Sequence, residues 1–204
     1  MAEPSIREDR NTLHAMLQPP GWPRPKGFAN GIRARGETVF VGGMIGQDAQ
    51  GRFAQGFVAL GPKLGPILWQ FASRRKFDRD DIAGFIDLLP EEIGGTRLRH
   101  AIEPRNESFR NDKFLELCRA RNIAVVLEDS DDYPTIEADT ADFAYARLQR
   151  MSEEVPTGYD DAALDGFARR AGEWQKRGDV YIFMINGAKV RAPAAALALQ
   201  ERLR

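Results

Sequence analysis

Short apolar runs alternate, over the second half of the chain, with segments whose apolar residues recur at helical spacing. Five runs are continuous enough to predict strands that are buried on both faces. They cover residues 64–71, 98–105, 123–129, 143–148 and 180–186. Because strands that alternate with helices pair in parallel through right-handed crossovers, the pattern predicts an α/β fold with five parallel strands.

Helix signals lie between most of these runs. Asp78 and Asn111 stand directly before apolar-periodic segments, where N-cap residues are expected. The longest predicted helix covers residues 160–176, and a closing helix covers residues 193–203. Residues 130–141 have no helical periodicity and predict a loop.

The pattern before residue 55 is different. Residues 28–34 and 37–44 predict two strands, and Arg35-Gly36 between them predicts a tight turn, so this part is expected to form an antiparallel β-hairpin. The change of pattern predicts two domains, residues 1–56 and residues 57–204. The predicted fold class is therefore α/β, with the hairpin preceding the parallel strands.

Composition narrows the function classes. The 204 residues include 29 Lys and Arg and 30 Asp and Glu, with a net charge of -1, and the charges are dispersed. This balance argues against a nucleic-acid or membrane surface. No apolar run approaches about 18 residues, and no signal peptide is present, so a cytoplasmic protein is expected. The single cysteine, Cys118, lies in a helical pattern and predicts a buried structural thiol.

Motifs for bound cofactors are missing from the sequence. Two histidines, His14 and His100, cannot form a metal cluster alone, and there is no Gly-rich phosphate loop or nucleophile elbow. We therefore expect no metal and no cofactor.

Candidate chemistry lies at the carboxyl ends of the predicted strands, where parallel α/β folds place their ligand sites. The residues there are Gln70, Glu103, Arg105, Asp129, Arg147 and Asn186. Arg105 and Arg147 are expected to clamp a phosphate or carboxylate. Glu103 is a candidate general base; the alternative, against the expectation of no metal, is that Glu103 and Asp129 together hold a divalent cation.

The candidate catalytic set is thus Glu103, Arg105, Asp129 and Arg147, and the candidate ligand-binding set is Gln70, Asn186 and Tyr159. Tyr159 lies in a flanking loop, where it can stack on a ligand. The alternative is that these charges neutralise one another as a structural network, since ion-pair networks occupy such positions too.

Residues 21–53, GWPRPKGFANGIRARGETVFVGGMIGQDAQGRF, resemble the amino-terminal segment of the RidA family. The resemblance covers about residues 17–54. It implies the first part of a fold whose enzymes deaminate enamines and imines in trimers. The segment that carries that family's catalytic arginine has no match here, so the resemblance implies no active site.

A second resemblance covers about residues 57–204. The blocks LGPILWQF, RHAIEPRNESF, VVLEDSDDYP, TADFAYARL and INGAKVRAPAAALAL resemble the DUF72 (YecE-like) family in order. It implies a TIM-barrel-like (β/α) fold and a pocket, but no established reaction. Asn106 stands where that family commonly has histidine. Because the family's early barrel units have no counterpart, a partial TIM-like barrel is expected, as in a deletion fusion of two genes.

The expected function is that of a DUF72-family protein with a polar, anion-binding mouth and little or no catalysis. The alternatives are a RidA-like deaminase and a metal- or phosphate-dependent TIM-barrel hydrolase or isomerase. The expected partners are a small anionic or phosphorylated ligand and, through an open sheet edge, a second copy of the chain.

Overall fold

The computed structural model describes four short strands within residues 5–40, and residues 60–204 apart from Asn186. The chain divides into two compact units. The first comprises residues 1–65 and 93–96, and the second comprises residues 66–92 and 97–204. The predicted division at residues 56 and 57 stays a prediction.

The first unit contains an antiparallel sheet of four strands in the order β1-β2-β3-β4. These strands are β1 (Ser5–Glu8), β2 (His14–Gln18), β3 (Gly31–Ala34) and β4 (Val39–Phe40). The pairing of β3 with β4 lies where the hairpin was predicted. The apolar pattern did not predict β1 and β2.

The second unit is built on parallel strands. They are β5 (Ile67–Gln70), β8 (His100–Glu103), β9 (Ala124–Val125), β10 (Leu127–Asp129), β11 (Ala144–Leu148) and β12 (Val180–Met184). Two three-stranded parallel sheets result, β5-β8-β9 and β10-β11-β12. Val126 joins β9 to β10, and its N–H donates to the carbonyl of Ile102 at 2.9 Å. The predicted third strand is therefore one chain segment that pairs with a different neighbour on each side of Val126.

Four α-helices lie in the described part of the chain. They are α1 (Arg79–Asp87), α2 (Asp112–Ala120), α3 (Asp161–Gln175) and α4 (Ala192–Arg202). The first three begin after Asp78, Asn111 and Asp160, whose side chains accept from backbone N–H groups of the first turn. The N-cap chemistry therefore sets where these helices start. Residues 130–143, between β10 and β11, contain no helix, as predicted.

The two faces of the parallel strands pack differently, because successive side chains alternate. Ile102, Val125, Leu127 and Leu148 pack against residues of the helices, and we call this the helix face. Its core includes the fully buried Phe109 and Phe114, with ring centroids 5.0 Å apart, and the buried Cys118. The thiol prediction is confirmed.

The opposite side of the sheet, which we call the second face, has its own small cluster. Its buried members are Ala101, Ala124, Val126, Phe143 and Tyr145, with Leu68 and Tyr181 packed against them. No residue of the four helices belongs to this cluster. The alternation continues toward the carboxyl ends of the strands, where it places Gln70, Glu103, Glu128 and Arg147 on the second face.

A short pair of strands follows α1 and was not predicted. It consists of β6 (Glu92–Ile93) and β7 (Thr96–Arg97), with Gly94 and Gly95 between them at φ of 59° and 79°. Positive φ favours glycine, which explains why Gly94 and Gly95 form this turn. The mixed α/β class with parallel strands is confirmed. No helix in the described part of the chain is long and apolar enough to cross a membrane.

Candidate functional site

Glu103, at the carboxyl end of β8, is the centre of a cluster of polar side chains. Its side chain is 0% exposed, and both carboxylate oxygens accept hydrogen bonds. Gln70 Nε2 lies 2.8 and 2.9 Å from the two oxygens, and Arg105 Nε lies 2.6 Å from Oε1. Arg147 Nη1 donates to Oε2. The carboxylate thus holds an amide and two guanidinium groups together.

Strand register places these groups at one level of the sheet. Gln70 is paired with Glu103 across β5 and β8, and Glu128 is paired with Arg147 across β10 and β11. Arg105 follows Glu103 by two residues and therefore points to the same side. Five side chains, from β5, β8 and the turn after it, β10 and β11, thus meet at the carboxyl ends of these strands.

Arg105 also contacts Tyr133, which lies in the loop that follows β10. Its guanidinium lies 4.2 Å from the ring centroid of Tyr133, and Nη1 is 3.3 Å from the Tyr133 hydroxyl. The side chains of Arg105 and Arg147 are only 18% and 15% exposed. Both guanidiniums are therefore fixed in position before any ligand arrives.

Glu128 is a second fully buried carboxyl in this cluster. Its Oε2 accepts from Gln149 Nε2, but no donor reaches Oε1. Arg147 Nη1 is 3.7 Å from that oxygen and is already bonded to Glu103. A buried carboxylate oxygen without a donor is costly, and a proton on the carboxyl removes that cost.

The two carboxyls have opposite pKa shifts. Burial raises the pKa of Glu128 to about 8, and the hydrogen bond to Glu103 and the charge of Glu103 add to the rise. Burial also acts to raise the pKa of Glu103, but hydrogen bonds from Glu128 and Gln70 and the charge of Arg147 outweigh it and lower that pKa. At neutral pH, Glu103 is therefore the ionised member and Glu128 the protonated one.

Asp129 does not join this cluster, although the prediction grouped it with Glu103. It follows Leu127 on the helix face, where Arg150 Nη1 lies 2.9 Å from its Oδ1. Tyr159 donates its hydroxyl proton to Asp129 Oδ2 at 2.8 Å and accepts from the N–H of Arg150. Since adjacent strand residues point to opposite faces, Asp129 points away from Glu128 and Glu103.

Tyr159 is likewise placed elsewhere than predicted. Its side chain is buried, its ring packs edge-on against Phe167 at 5.2 Å, and burial together with the hydrogen bond to Asp129 raises its pKa. Its hydrogen bond to Asp129 connects the loop after β11 to the end of β10, and its buried ring is not accessible for stacking on a ligand. Asn186 lies outside the described residues.

Sequence reasoning brought Gln70, Glu103, Arg105 and Arg147 together correctly but missed Glu128. Residues 123–127 are all apolar, so their periodicity does not tell which side of the strand faces the helices.

Two cavities lie beside α3. The smaller, of about 300 Å³, is lined by residues that include Asp139, Thr140 and Trp174. The larger, of about 840 Å³, is lined by residues that include Asp129 and Phe167. Glu103, Arg105 and Arg147 line neither of them. Glu128 is among the residues that line the larger cavity, so the cluster around Glu103 borders that cavity through Glu128 alone.

Metal binding by Glu103 and Asp129 is not supported by this geometry, because the two side chains lie on opposite faces. Within residues 60–185 and 187–204, no three His, Cys, Asp or Glu residues are grouped so that they could hold a metal ion. Both oxygens of Glu103 are already occupied by donors.

The chain belongs to the DUF72 family, described as proteins of unknown function. The family model matches residues 42–204. This match includes residues 42–54, which were predicted to belong to a RidA-like segment. The RidA resemblance finds no support in any comparison, and none of the curated proteins matches the chain.

Solved structures of DUF72 proteins share the fold. A DUF72 family protein from Enterococcus faecalis is 18% identical with a TM-score of 0.58, over 72% of this chain and 63% of that one. A DUF72 family protein from Thermotoga maritima is 22% identical with a TM-score of 0.51, over 68% of this chain and 56% of that one. The match therefore spans less than two thirds of either solved protein.

Proposed function

We propose that this DUF72 protein binds a small oxyanion, a phosphate or a carboxylate, between Arg105 and Arg147. We also propose that β5 and β8 to β12 are consecutive strands of a TIM-like (β/α) barrel, with the anion at its mouth. Ligand sites of such barrels lie at the carboxyl ends of the strands, which is where the two arginines stand.

The charge balance of the cluster supports an anion. Arg105 and Arg147 carry two positive charges, and Glu103 carries one negative charge. With Glu128 protonated, one positive charge is left over. A purely structural network of ion pairs would be expected to have zero net charge, because a buried charge without a partner costs free energy.

Unused hydrogen-bond donors support the same proposal. Within the described residues, Arg105 donates through Nε and Nη1, and Arg147 donates through Nη1 only. Nη2 of Arg105 and both Nε and Nη2 of Arg147 remain for a ligand. Guanidinium pairs of this kind bind phosphate and carboxylate oxygens in a bidentate way.

The observation that carries the proposal is the pair of arginines, nearly buried and held on one carboxylate. The direct test is thermal unfolding with increasing inorganic phosphate, sulfate or acetate. A ligand at one hundred times its Kd stabilises the folded state by about 2.7 kcal/mol, which raises the Tm by several degrees. Arg105→Ala should abolish that rise.

Two variants serve as controls. Arg110→Ala removes an exposed arginine whose ion pair, among the described residues, is with Glu107. Tyr159→Phe removes a hydroxyl on the helix face. Both should keep the full rise in Tm. Absence of any rise in the wild-type protein, or an undiminished rise in Arg105→Ala, would count against the proposed site.

Self-association through an open sheet edge stays a prediction. Two observations in the described second unit favour it: β5 and β12 each pair on one side only, and Phe183 on β12 is 37% exposed. An edge strand leaves a row of backbone N–H and C=O groups unpaired, and these groups can pair with a strand of another chain. Light scattering over a range of protein concentrations measures it directly.

A further inference from the structure

We infer, on the basis of the proposed anion site, that the oxyanion binds only together with a proton held on Glu128. The site would then be a proton-coupled binding site, in which one small oxyanion and one proton are taken up as a unit. It would select oxyanions at neutral or mildly acidic pH and release them as the pH rises.

The geometry favours a proton in this place. Glu128 and Glu103 are both 0% exposed and interact directly, yet Glu103 has both oxygens occupied by donors while Glu128 Oε1 has none. Arg147 is bonded to Glu103 and lies 3.7 Å from Glu128. One arginine thus serves two carboxyls, and a proton on Glu128 turns their contact into a hydrogen bond.

The groups that face Glu128 are few. Glu103 comes from β8, Arg147 and Tyr145 come from β11, and Gln149 follows that strand. Burial raises the pKa of Tyr145 to about 12, so this phenol stays neutral over the relevant range. Between about pH 6 and pH 10, Glu128 is therefore the group in this set whose charge changes.

Loss of the proton cancels the attraction for an anion. With Glu128 protonated, the two arginines exceed Glu103 by one positive charge. With Glu128 ionised, two carboxylates balance two guanidiniums, and an incoming oxyanion meets no net positive charge. If the anion binds only the protonated form, its Kd rises tenfold for each pH unit above the pKa of Glu128.

The test is isothermal titration calorimetry of the full chain with sulfate, which does not itself titrate between about pH 6 and pH 10. Titrations in two buffers of different ionisation enthalpy give the number of protons taken up. Wild-type protein should take up close to one proton per sulfate above about pH 8, with a Kd that rises tenfold per pH unit. Glu128→Gln should bind with a pH-independent Kd and take up no proton.

The failures are distinguishable. Sulfate binding with the same Kd at all pH values, and without proton uptake, overturns the inference and leaves the anion site standing. No sulfate binding at any pH overturns both. Infrared spectroscopy of the wild-type protein gives a readout that needs no variant. The band of a neutral carboxyl should disappear as the pH rises and return when sulfate is added, and a band that sulfate does not restore overturns the inference.

Discussion

The stability of this protein should fall as the pH rises from acid to about 8, and Glu128 should be the cause. A carboxyl whose pKa is raised on folding favours the folded state only while it is protonated. The folded protein then binds one proton more than the unfolded chain between pH 4.5 and about 8. Stability is therefore fully present below pH 4.5 and is lost as the pH rises through that window.

The magnitude follows from the shift. A rise in pKa from 4.5 to about 8 corresponds, at 1.36 kcal/mol per unit, to about 5 kcal/mol of stability lost above pH 8. Between pH 5.5 and pH 8 the loss amounts to about 3 kcal/mol. Glu103 has a lowered pKa and acts at more acidic pH, so it does not cancel this loss within the window.

Urea unfolding of wild-type protein and Glu128→Gln at pH 5.5 and pH 8 measures the effect. Glutamine cannot titrate, so the variant does not lose this stability. Its free energy of unfolding, relative to that of the wild type, should be about 3 kcal/mol higher at pH 8 than at pH 5.5. His100, whose pKa is lowered by burial, titrates in both proteins and drops out of the difference. The exposed Glu201→Gln should show no such gain.

A stability difference between wild type and Glu128→Gln that stays the same at both pH values would refute the reasoning. It would mean that Glu128 is ionised in the folded protein at pH 5.5, which the orphaned Oε1 makes unfavourable. A wild-type stability that instead increases from pH 5.5 to 8, with Glu128→Gln following it, would refute it as well.

Three other predictions address the fold. Gly178→Ala should lower the free energy of unfolding in urea by several kcal/mol, because a Cβ there would lie 2.0 Å from the Asp142 carbonyl oxygen. Its control is Gly172→Ala in α3, which has open space around it and should stabilise the fold by roughly 0.5–1 kcal/mol. Asp78→Ala removes the N-cap of α1 and should cost about 1 kcal/mol, against little change for the exposed Asp80→Ala. Light scattering should show a mass that increases with protein concentration, and a constant monomer mass would exclude edge association.

The order of strands and helices in the second unit could be predicted because each signal is local. Asp78 and Asn111 cap helices as predicted, and the five apolar runs contain all the parallel strands of the described second unit. The small antiparallel sheet at the start was predicted only in part, because the residues of β1 and β2 show no clear apolar alternation.

The site could be predicted only where strand parity was unambiguous. Arg147 shares its side with Tyr145, and Glu103 shares its side with Arg105, so these residues were grouped correctly. In the apolar run that ends in Glu128 and Asp129, both sides are buried, and the sequence does not show which side faces the helices. The protonation of Glu128 could not be predicted from the sequence. It follows from the distance between Glu128 and Arg147 and from the lack of a hydrogen-bond donor to Oε1, and both are known only from the folded structure.

A crystal of the wild-type protein soaked in selenate at pH 6 tests the anion site most directly. Selenium gives an anomalous signal that identifies the oxyanion without ambiguity. We predict a selenate peak within hydrogen-bond distance of Nη2 of Arg105 and of Nε or Nη2 of Arg147. Well-ordered selenate elsewhere on the protein, with no peak between these two arginines, would contradict the proposed function.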